Sequence, residues 1–363
     1  MPEMEIHLER TVDDSYRLIF GSDLFSRIAD ELPEIVPARK IAIITDSNVG
    51  PLYAENLQKQ TGGEVFIFPA GEEHKTLGTC VELLTGLTEK GFGRDTAILA
   101  LGGGVVGDVT GFVAGIYNRG VPYIQIPTTI LAQADSSIGG KTGVDTPFGK
   151  NLVGVFKQPT RVYLDVSTLQ TLPLEQVRSG LAETIKHAII RDAGFFDYLS
   201  NTMQDLLSKD SDTLLGIALD NCRIKGQVVE IDPHEKGLRR ILNYGHTAGH
   251  AIEMLSDFTL FHGYAVSIGM MVAGRIAESI TGYDGVLAQE ELLQKAGLPT
   301  TIPDYISDDK IIQSTALDKK AKEGKARYTL PEQIGVMAVF DDAYATHVAQ
   351  DVVREALQKT RVQ

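Results

Sequence analysis

Apolar residues recur along this chain with two different periods, and one gives way to the other near residue 173. Before that point, short runs rich in Val and Ile alternate with stretches of helical spacing. Residues 40–45, 65–68, 97–101, 123–126 and 161–166 predict strands, with helices over 76–90 and 105–115. Strand runs apolar on both faces imply a parallel sheet covered by helices. Ahead of them, 4–8 and 16–20 alternate and predict an antiparallel hairpin. Beyond residue 173 helical periodicity takes over at 174–206, 211–231, 238–256, 262–281, 286–296, 307–322 and 343–359, broken by a short β-like piece at 326–330. The expected architecture is an α/β domain with a Rossmann-like parallel sheet over 1–173, then a mainly α-helical domain over 174–363. No internal repeat or low-complexity tract interrupts it.

Bulk composition narrows the function. A chain of 363 residues, 43% hydrophobic and 23% charged, has material for two cores. A net charge of −14 argues against nucleic acid, which demands clustered Lys and Arg. An anionic small molecule stays compatible with it, because a local cationic pocket can sit inside an acidic shell. The two cysteines, Cys80 and Cys222, form neither a CxxC motif nor a disulfide framework, as expected for a reducing cytoplasm. Residues 1–10 are charged and lack the apolar stretch of a signal peptide, and no uncharged apolar run is long enough to span a membrane.

Ligands of open parallel sheets bind beyond the carboxyl ends of the strands. Asp46, Gly71 and Glu72, the turn Gly102 to Asp108, and Thr128 with Thr129 all follow predicted strands. Glycines let backbone N–H groups approach a pyrophosphate, and the helix start that follows favours negative charge. The glycine-rich turn is not GxGxxG, so the nucleotide reading rests on several strand ends together. Between Asp135 and Asn151, Lys141, Lys150 and two glycine-rich turns without apolar periodicity predict a long anion-binding loop. Arg119 follows a turn and can add charge.

The second half offers a metal site. Glu183 lies in an apolar helical stretch with Lys186 one turn on. An isolated pair of this kind is ordinarily solvent-exposed, but Leu181, Ala182, Ile185, Ala188, Ile189 and Ile190 surround it. His246 and His250 share a helix face, and His262 opens another apolar helix. A carboxylate and histidines around a divalent cation leave positions open for substrate, as catalysis requires. Lys225, Glu235, Arg239 and Asn243 precede the histidines. His7, His74, His187, His234 and His347 lack such context and are read mainly as surface residues.

These motifs, together with 127–129, 149–151, 180–183 and 242–253, resemble those of the 3-dehydroquinate synthases over essentially the whole chain. The resemblance implies a divalent metal, Zn2+ or Co2+, on Glu183, His246 and His262. It implies NAD contacts at Asp46, Asn48, Glu72, Glu73, His74, Lys75, Gly104, Val105, Val106, Gly107, Asp108, Thr128, Thr129, Lys141, Lys150, Thr168, Leu169, Gln170 and Thr171. It implies substrate contacts at Arg119, Asp135, Lys141, Asn151, Lys186, Lys225, Arg239, Asn243 and Lys320. Glu235 and His250 match acid–base residues, and Lys186 and Asp135 join them as catalytic candidates. Arg119 matches a residue that reaches across a homodimer interface.

The implied reaction is a shikimate-pathway step from 3-deoxy-D-arabino-heptulosonate 7-phosphate to 3-dehydroquinate and phosphate. It runs through oxidation by NAD, phosphate elimination, re-reduction, ring opening and an intramolecular aldol closure. Rival readings are a 2-deoxy-scyllo-inosose or 2-epi-5-epi-valiolone synthase, an NAD- and metal-dependent polyol dehydrogenase, and a catalytically silent binding protein. One departure stands out: Tyr264 occupies a position where many members have Glu.

Overall fold

The computed structural model describes residues 3–9, 13–257, 259–317, 326–341 and 343–361. Its first half runs β1 (Arg17–Gly21), α1 (Phe25–Ile35), β2 (Lys40–Asp46), α2 (Glu55–Thr61), β3 (Glu64–Phe68), α3 (Leu77–Glu89), β4 (Thr96–Gly102), α4 (Gly104–Ile116), β5 (Tyr123–Pro127), β6 (Lys141–Thr146), β7 (Gly149–Phe156) and β8 (Arg161–Asp165). Six of these strands form one sheet in the order β1, β8, β5, β4, β2, β3, and every neighbouring pair is parallel. The apolar runs fill both faces. On β4, Ile98 packs with Cys80, Leu83, Val106 and Val109 of α3 and α4. Its neighbours Ala97, Leu99 and Leu101 pack with Phe25, Ile28 and Leu57 of α1 and α2 on the other side. Because all strands point the same way, their carboxyl ends share one edge, as the sequence led us to expect.

The second half is mainly helical: α5 (Leu174–Arg191), α6 (Ala193–Leu207), α7 (Ser211–Ile231), α8 (His246–Leu255), α9 (His262–Ile280), α10 (Val286–Lys295), α11 (Asp308–Leu317) and α12 (Gln350–Lys359). Short strands β9 (Arg327–Tyr328), β10 (Pro331–Gln333), β11 (Val336–Met337) and β12 (Thr346–His347) pair locally. One large apolar cluster runs through these helices, with Leu181, Ile185 and Ile189 of α5 and Val266 and Met270 of α9 inside it.

Several expectations fail for identifiable reasons. The N-terminal hairpin is absent among the described residues: Met4, Ile6 and Leu8 are exposed in irregular chain. β1 instead pairs parallel to β8, and Leu18 and Phe20 pack against Val162 and Leu164. Alternation reported a half-buried strand correctly but carried no information on its partner. The loop expected over 135–151 contains β6, whose antiparallel partner β7 extends it to Phe156. β7 is exposed or half-buried along its whole length, and β6 carries polar residues and Gly143 beside its buried Val144, so no apolar period marks the hairpin. Gly154 permits the close pairing, since a Cβ there would sit 2.2 Å from the Thr142 carbonyl oxygen.

The helix expected over 174–206 breaks at Asp192, which is extended (φ −153°) and caps α6 by accepting the Phe195 N–H at 3.0 Å. Within 238–256, a short 3-10 turn (Leu238–Asn243) and left-handed Gly245 (φ +77°) precede α8. In 343–359 the helix begins only at Gln350, after β12. The part of 307–322 beyond residue 317 lies outside the described residues.

Glycines set how closely α8 and α9 approach. A Cβ on Gly269 would stand 2.0 Å from the Gly245 carbonyl oxygen and 2.6 Å from Gly249 N, which are backbone atoms that cannot rotate away. We expect Gly269→Ala to destabilise the chain by at least the 1–3 kcal/mol of ordinary overpacking, at about unchanged denaturant m-value. Urea unfolding within about 0.5 kcal/mol of wild type would contradict this close contact.

Candidate functional site

Three helices converge on one buried carboxylate. Glu183 of α5 is 1% exposed, within a helix buried along most of its length. His246 opens α8 and His262 opens α9, so both rings project from helix starts beside it. His246 Nε2 and His262 Nε2 each lie 3.4 Å from Glu183 Oε1. Close approach of the backbones makes this possible: the Gly263 N–H donates to Ser179 Oγ at 3.0 Å, and a Cβ on Gly263 would strike the Ser179 carbonyl.

The arrangement fits a divalent cation. One ligand atom from each of the three residues lies within 4.8 Å of the others. Ligands about 2.0–2.1 Å from a tetrahedral ion stand roughly 3.3–3.4 Å from one another, by simple geometry. Glu183 Oε1 is buried and accepts no well-formed hydrogen bond among the described residues, although two imidazoles face it. Its other oxygen accepts from Lys186. His246 Nδ1 lies 3.0 Å from the Tyr244 carbonyl, an acceptor only, so the proton belongs on Nδ1 and the Nε2 lone pair faces Glu183. His262 Nδ1 lies 3.3 Å from Glu253 Oε2. Two further groups, His250 with Glu253 and His262, and Asp135 with Glu183 and His187, share residues with this one. In each group a lysine pairs with a carboxylate, Lys150 with Glu253 and Lys225 with Asp135, as Lys186 does with Glu183.

The charges are strongly perturbed. Burial opposes ionisation of Glu183, but Lys186 and His246 outweigh it and hold the carboxyl well below its usual range. Burial lowers His246, with Glu183 opposing, so this ring stays neutral. Burial also disfavours charge on His262, yet Glu183 and Glu253 overcome it and raise its pKa to about 9.

Around this centre the chain gathers cations, each held by a partner. Lys225 Nζ lies 2.6 Å from Asp135 Oδ1. Lys141 pairs with Glu235, which also accepts from Asn243 Nδ2 at 2.7 Å. Arg239 is 3% exposed and donates to the carbonyls of Pro233 at 2.8 Å and Gly139 at 3.4 Å. The ring of His250 stands 5.1 Å from that of His246 and 5.8 Å from that of His262, centre to centre.

At the sheet edge, Lys75 Nζ meets Asp108 at 2.6 Å and Asn151 Oδ1 at 2.6 Å, tying the β6–β7 hairpin to the glycine-rich turn. The hairpin is fastened a second time where Asp145 N donates to the Lys75 carbonyl at 2.8 Å. Lys150 bridges Glu72 at 3.3 Å and Glu253 at 3.0 Å. Gly104 starts α4, and a Cβ on Gly103 would come within 3.1 Å of Thr129. Val105 and Gly107 belong to the same first turns, while Val106 turns its side chain into the core.

Asp46 spends Oδ1 on the N–H groups of Asn48 and Val49, and Asn48 is exposed. Glu73 is exposed and His74 partly so. Thr128 donates its N–H to the Gly102 carbonyl at 3.0 Å. Beyond β8, Tyr53 Oη lies 3.0 Å from the Thr168 carbonyl and 2.6 Å from Thr171 Oγ1, Leu169 is buried in the helical core, and Gln170 donates to the Lys209 carbonyl.

Arg119 is not brought into this cluster. It is exposed at the far end of α4, with φ +69°. Lys320 lies outside the described residues. His187, read as a surface residue, is fully buried: Nδ1 lies 2.9 Å from Asn221 Oδ1 and Nε2 3.9 Å from Asp135. Burial, with Lys186 adding to it, lowers its pKa to about 4. The apolar helix around it was the available signal. Glu253, which joins His262 to Lys150, went without a role although its spacing from His246 puts both on one face of α8.

This architecture is shared with solved cyclases. The chain is similar to 2-deoxy-scyllo-inosose synthase, in a crystal structure complexed with carbaglucose-6-phosphate, NAD+ and Co2+, at 30% identity and a TM-score of 0.86 over 95% of this chain and 96% of that one. It is also similar to 2-epi-5-epi-valiolone synthase from Streptomyces hygroscopicus subsp. jinggangensis, with NAD+ and Zn2+ bound, at 27% identity and a TM-score of 0.88 over 98% and 99% of the two chains. The fold is thus that of the sugar-phosphate cyclases. Family models go further: 3-dehydroquinate synthase N-terminal matches residues 65–179 and 3-dehydroquinate synthase C-terminal matches 180–321. A 3-dehydroquinate synthase of Syntrophotalea carbinolica is 45% identical over 329 residues, 88% of this chain and 91% of its own. The chain belongs to the 3-dehydroquinate synthase family.

The raised pKa of His262 makes cation binding a proton exchange. Below about 9 this ring must lose its proton to become a ligand, so affinity rises with pH and levels off above that value. Titration of metal-free protein with Co2+ should show about a tenfold gain per pH unit between about pH 6 and pH 8, with one proton released per ion. A pH-independent affinity over this range would refute the raised pKa of His262 in the metal-free chain.

Proposed function

We propose that this chain converts 3-deoxy-D-arabino-heptulosonate 7-phosphate into 3-dehydroquinate and phosphate, with NAD recycled in each turnover. Family membership supports this reading over the sister cyclases. The observation that carries it is the buried triad of Glu183, His246 and His262 beside a cluster of lysines, within reach of a parallel-sheet edge. The triad would hold Zn2+ or Co2+, the ions in the two solved cyclases. When bound, the cation polarises substrate oxygens and the nicotinamide accepts and returns one hydride.

The remaining work falls to side chains. Lys141, Lys186, Lys225 and Arg239 neutralise phosphate and carboxylate, and the planar fork of Arg239 suits the carboxylate. In the free chain Lys141 and Lys225 are held by Glu235 and Asp135, so an anionic substrate exchanges these partners for its own oxygens. Asn151 and Asn243 add hydrogen bonds. Glu235 and His250 move protons, with Asp135 and Lys186 positioned to assist. The residues at the sheet edge from Asp46 to Thr171 named above, with Lys141 and Lys150, form the NAD side, and the α4 start favours the pyrophosphate.

The domain division falls at 173, with 1–173 binding NAD and 174–363 binding metal and substrate. The enzyme works in the cytoplasm as a homodimer in which Arg119 serves the neighbouring subunit. No helix of the described residues is long and apolar enough to cross a membrane.

Metal-loaded protein and NAD+ incubated with the heptulosonate phosphate should release one phosphate per dehydroquinate, followed by mass, with no net build-up of NADH. NADH accumulating without phosphate would favour a dehydrogenase, and no reaction would remove the assignment. Glu183→Gln should lower turnover by more than the roughly 10–100-fold typical when a ligand loses its hydrogen-bond partner, with reduced bound metal. Wild-type rate and metal content in that variant would contradict the ligand role.

A further inference from the structure

The helix that carries one candidate ligand also carries a carboxylate to which the metal reading gives no part. On α8, His246, His250 and Glu253 stand at i, i+4 and i+7 and share a face. Glu253 is 5% exposed, and its two oxygens meet two different groups. Oε2 lies 3.3 Å from His262 Nδ1, and Oε1 lies 3.0 Å from Lys150 Nζ. Lys150 Nζ in turn lies 3.3 Å from Glu72 Oε1. An unbroken polar chain thus runs from α9 through α8 to the β6–β7 hairpin and the sheet edge.

An ionised carboxylate only accepts hydrogen bonds. Facing Nδ1, Glu253 selects, for the neutral ring that a cation requires, the form with the proton on Nδ1 and the lone pair on Nε2, the atom that looks at Glu183. The Tyr244 carbonyl does the same for His246, but it carries no net charge. A full negative charge behind the ring makes Nε2 a stronger donor to a cation.

We propose that Glu253 is the positioning residue of this centre: it aims His262 Nε2 at the cation and ties that ring to Lys150 on the cofactor side. The inference rests on Glu183, His246 and His262 being the cation site.

Metal-free wild type, Glu253→Gln and Glu253→Leu are titrated with Co2+ against a chelating competitor, with folding checked by circular dichroism and the visible cobalt band recorded. Wild type should bind one ion. Gln keeps an acceptor but loses the charge, and should bind cobalt about tenfold more weakly. Leu loses both, and should bind about 100-fold more weakly with an altered band. If Leu fails to fold, the isosteric Gln variant decides alone. Folded variants that bind cobalt as tightly as wild type, with the same band, overturn the proposal even if their melting temperature falls. No uptake by wild type would instead remove the cation site itself.

Discussion

A carboxylate sealed inside an apolar helix cannot be left alone, and this chain is arranged around satisfying one. Glu183 is almost fully buried among Leu181, Ile185 and Ile189, where an unpaired charge would cost several kcal/mol. Lys186 meets one oxygen from the next turn. The other oxygen faces two imidazoles from two other helices and keeps no strong hydrogen bond of its own. That oxygen and the two imidazole nitrogens are spaced as the ligands of a divalent cation would be.

Bringing three helix segments to one atom requires backbones to touch. Gly263 lies against Ser179, and Gly269 lies against Gly245 and Gly249, at distances no Cβ would permit. The same economy operates at the sheet edge, where Lys75 joins the glycine-rich turn to the hairpin through Asp108 and Asn151. Lys150 then reaches from the hairpin to Glu253 beside the triad. Sheet edge and triad are therefore linked by short polar contacts, and the pairs Lys141–Glu235 and Lys225–Asp135 hold two more cations beside them.

Much of this was legible beforehand. Strands buried on both faces read as continuous Val- and Ile-rich runs, so the parallel sheet, with its carboxyl ends on one edge, followed from pattern alone. Glu183, His246 and His262 stood out because charged and titratable residues interrupted apolar helical periods. The β6–β7 hairpin did not stand out, because β7 is partly exposed along its length and Gly143 pairs with Gly154 across it. His187 was misjudged because a single histidine on an apolar helix has no periodic signature of its partner, and Asn221 lies on α7, far along the chain.

What the sequence determined by itself was local: period, helix starts, glycine turns and the kinds of chemistry available, because these depend on neighbours within a few residues. Tertiary structure alone decided which strand β1 joins, that Arg119 stands apart, and that Glu253 meets both His262 and Lys150. Those outcomes depend on contacts between residues far apart in the chain, whose geometry is set by packing and burial of the whole molecule and leaves no local pattern to read.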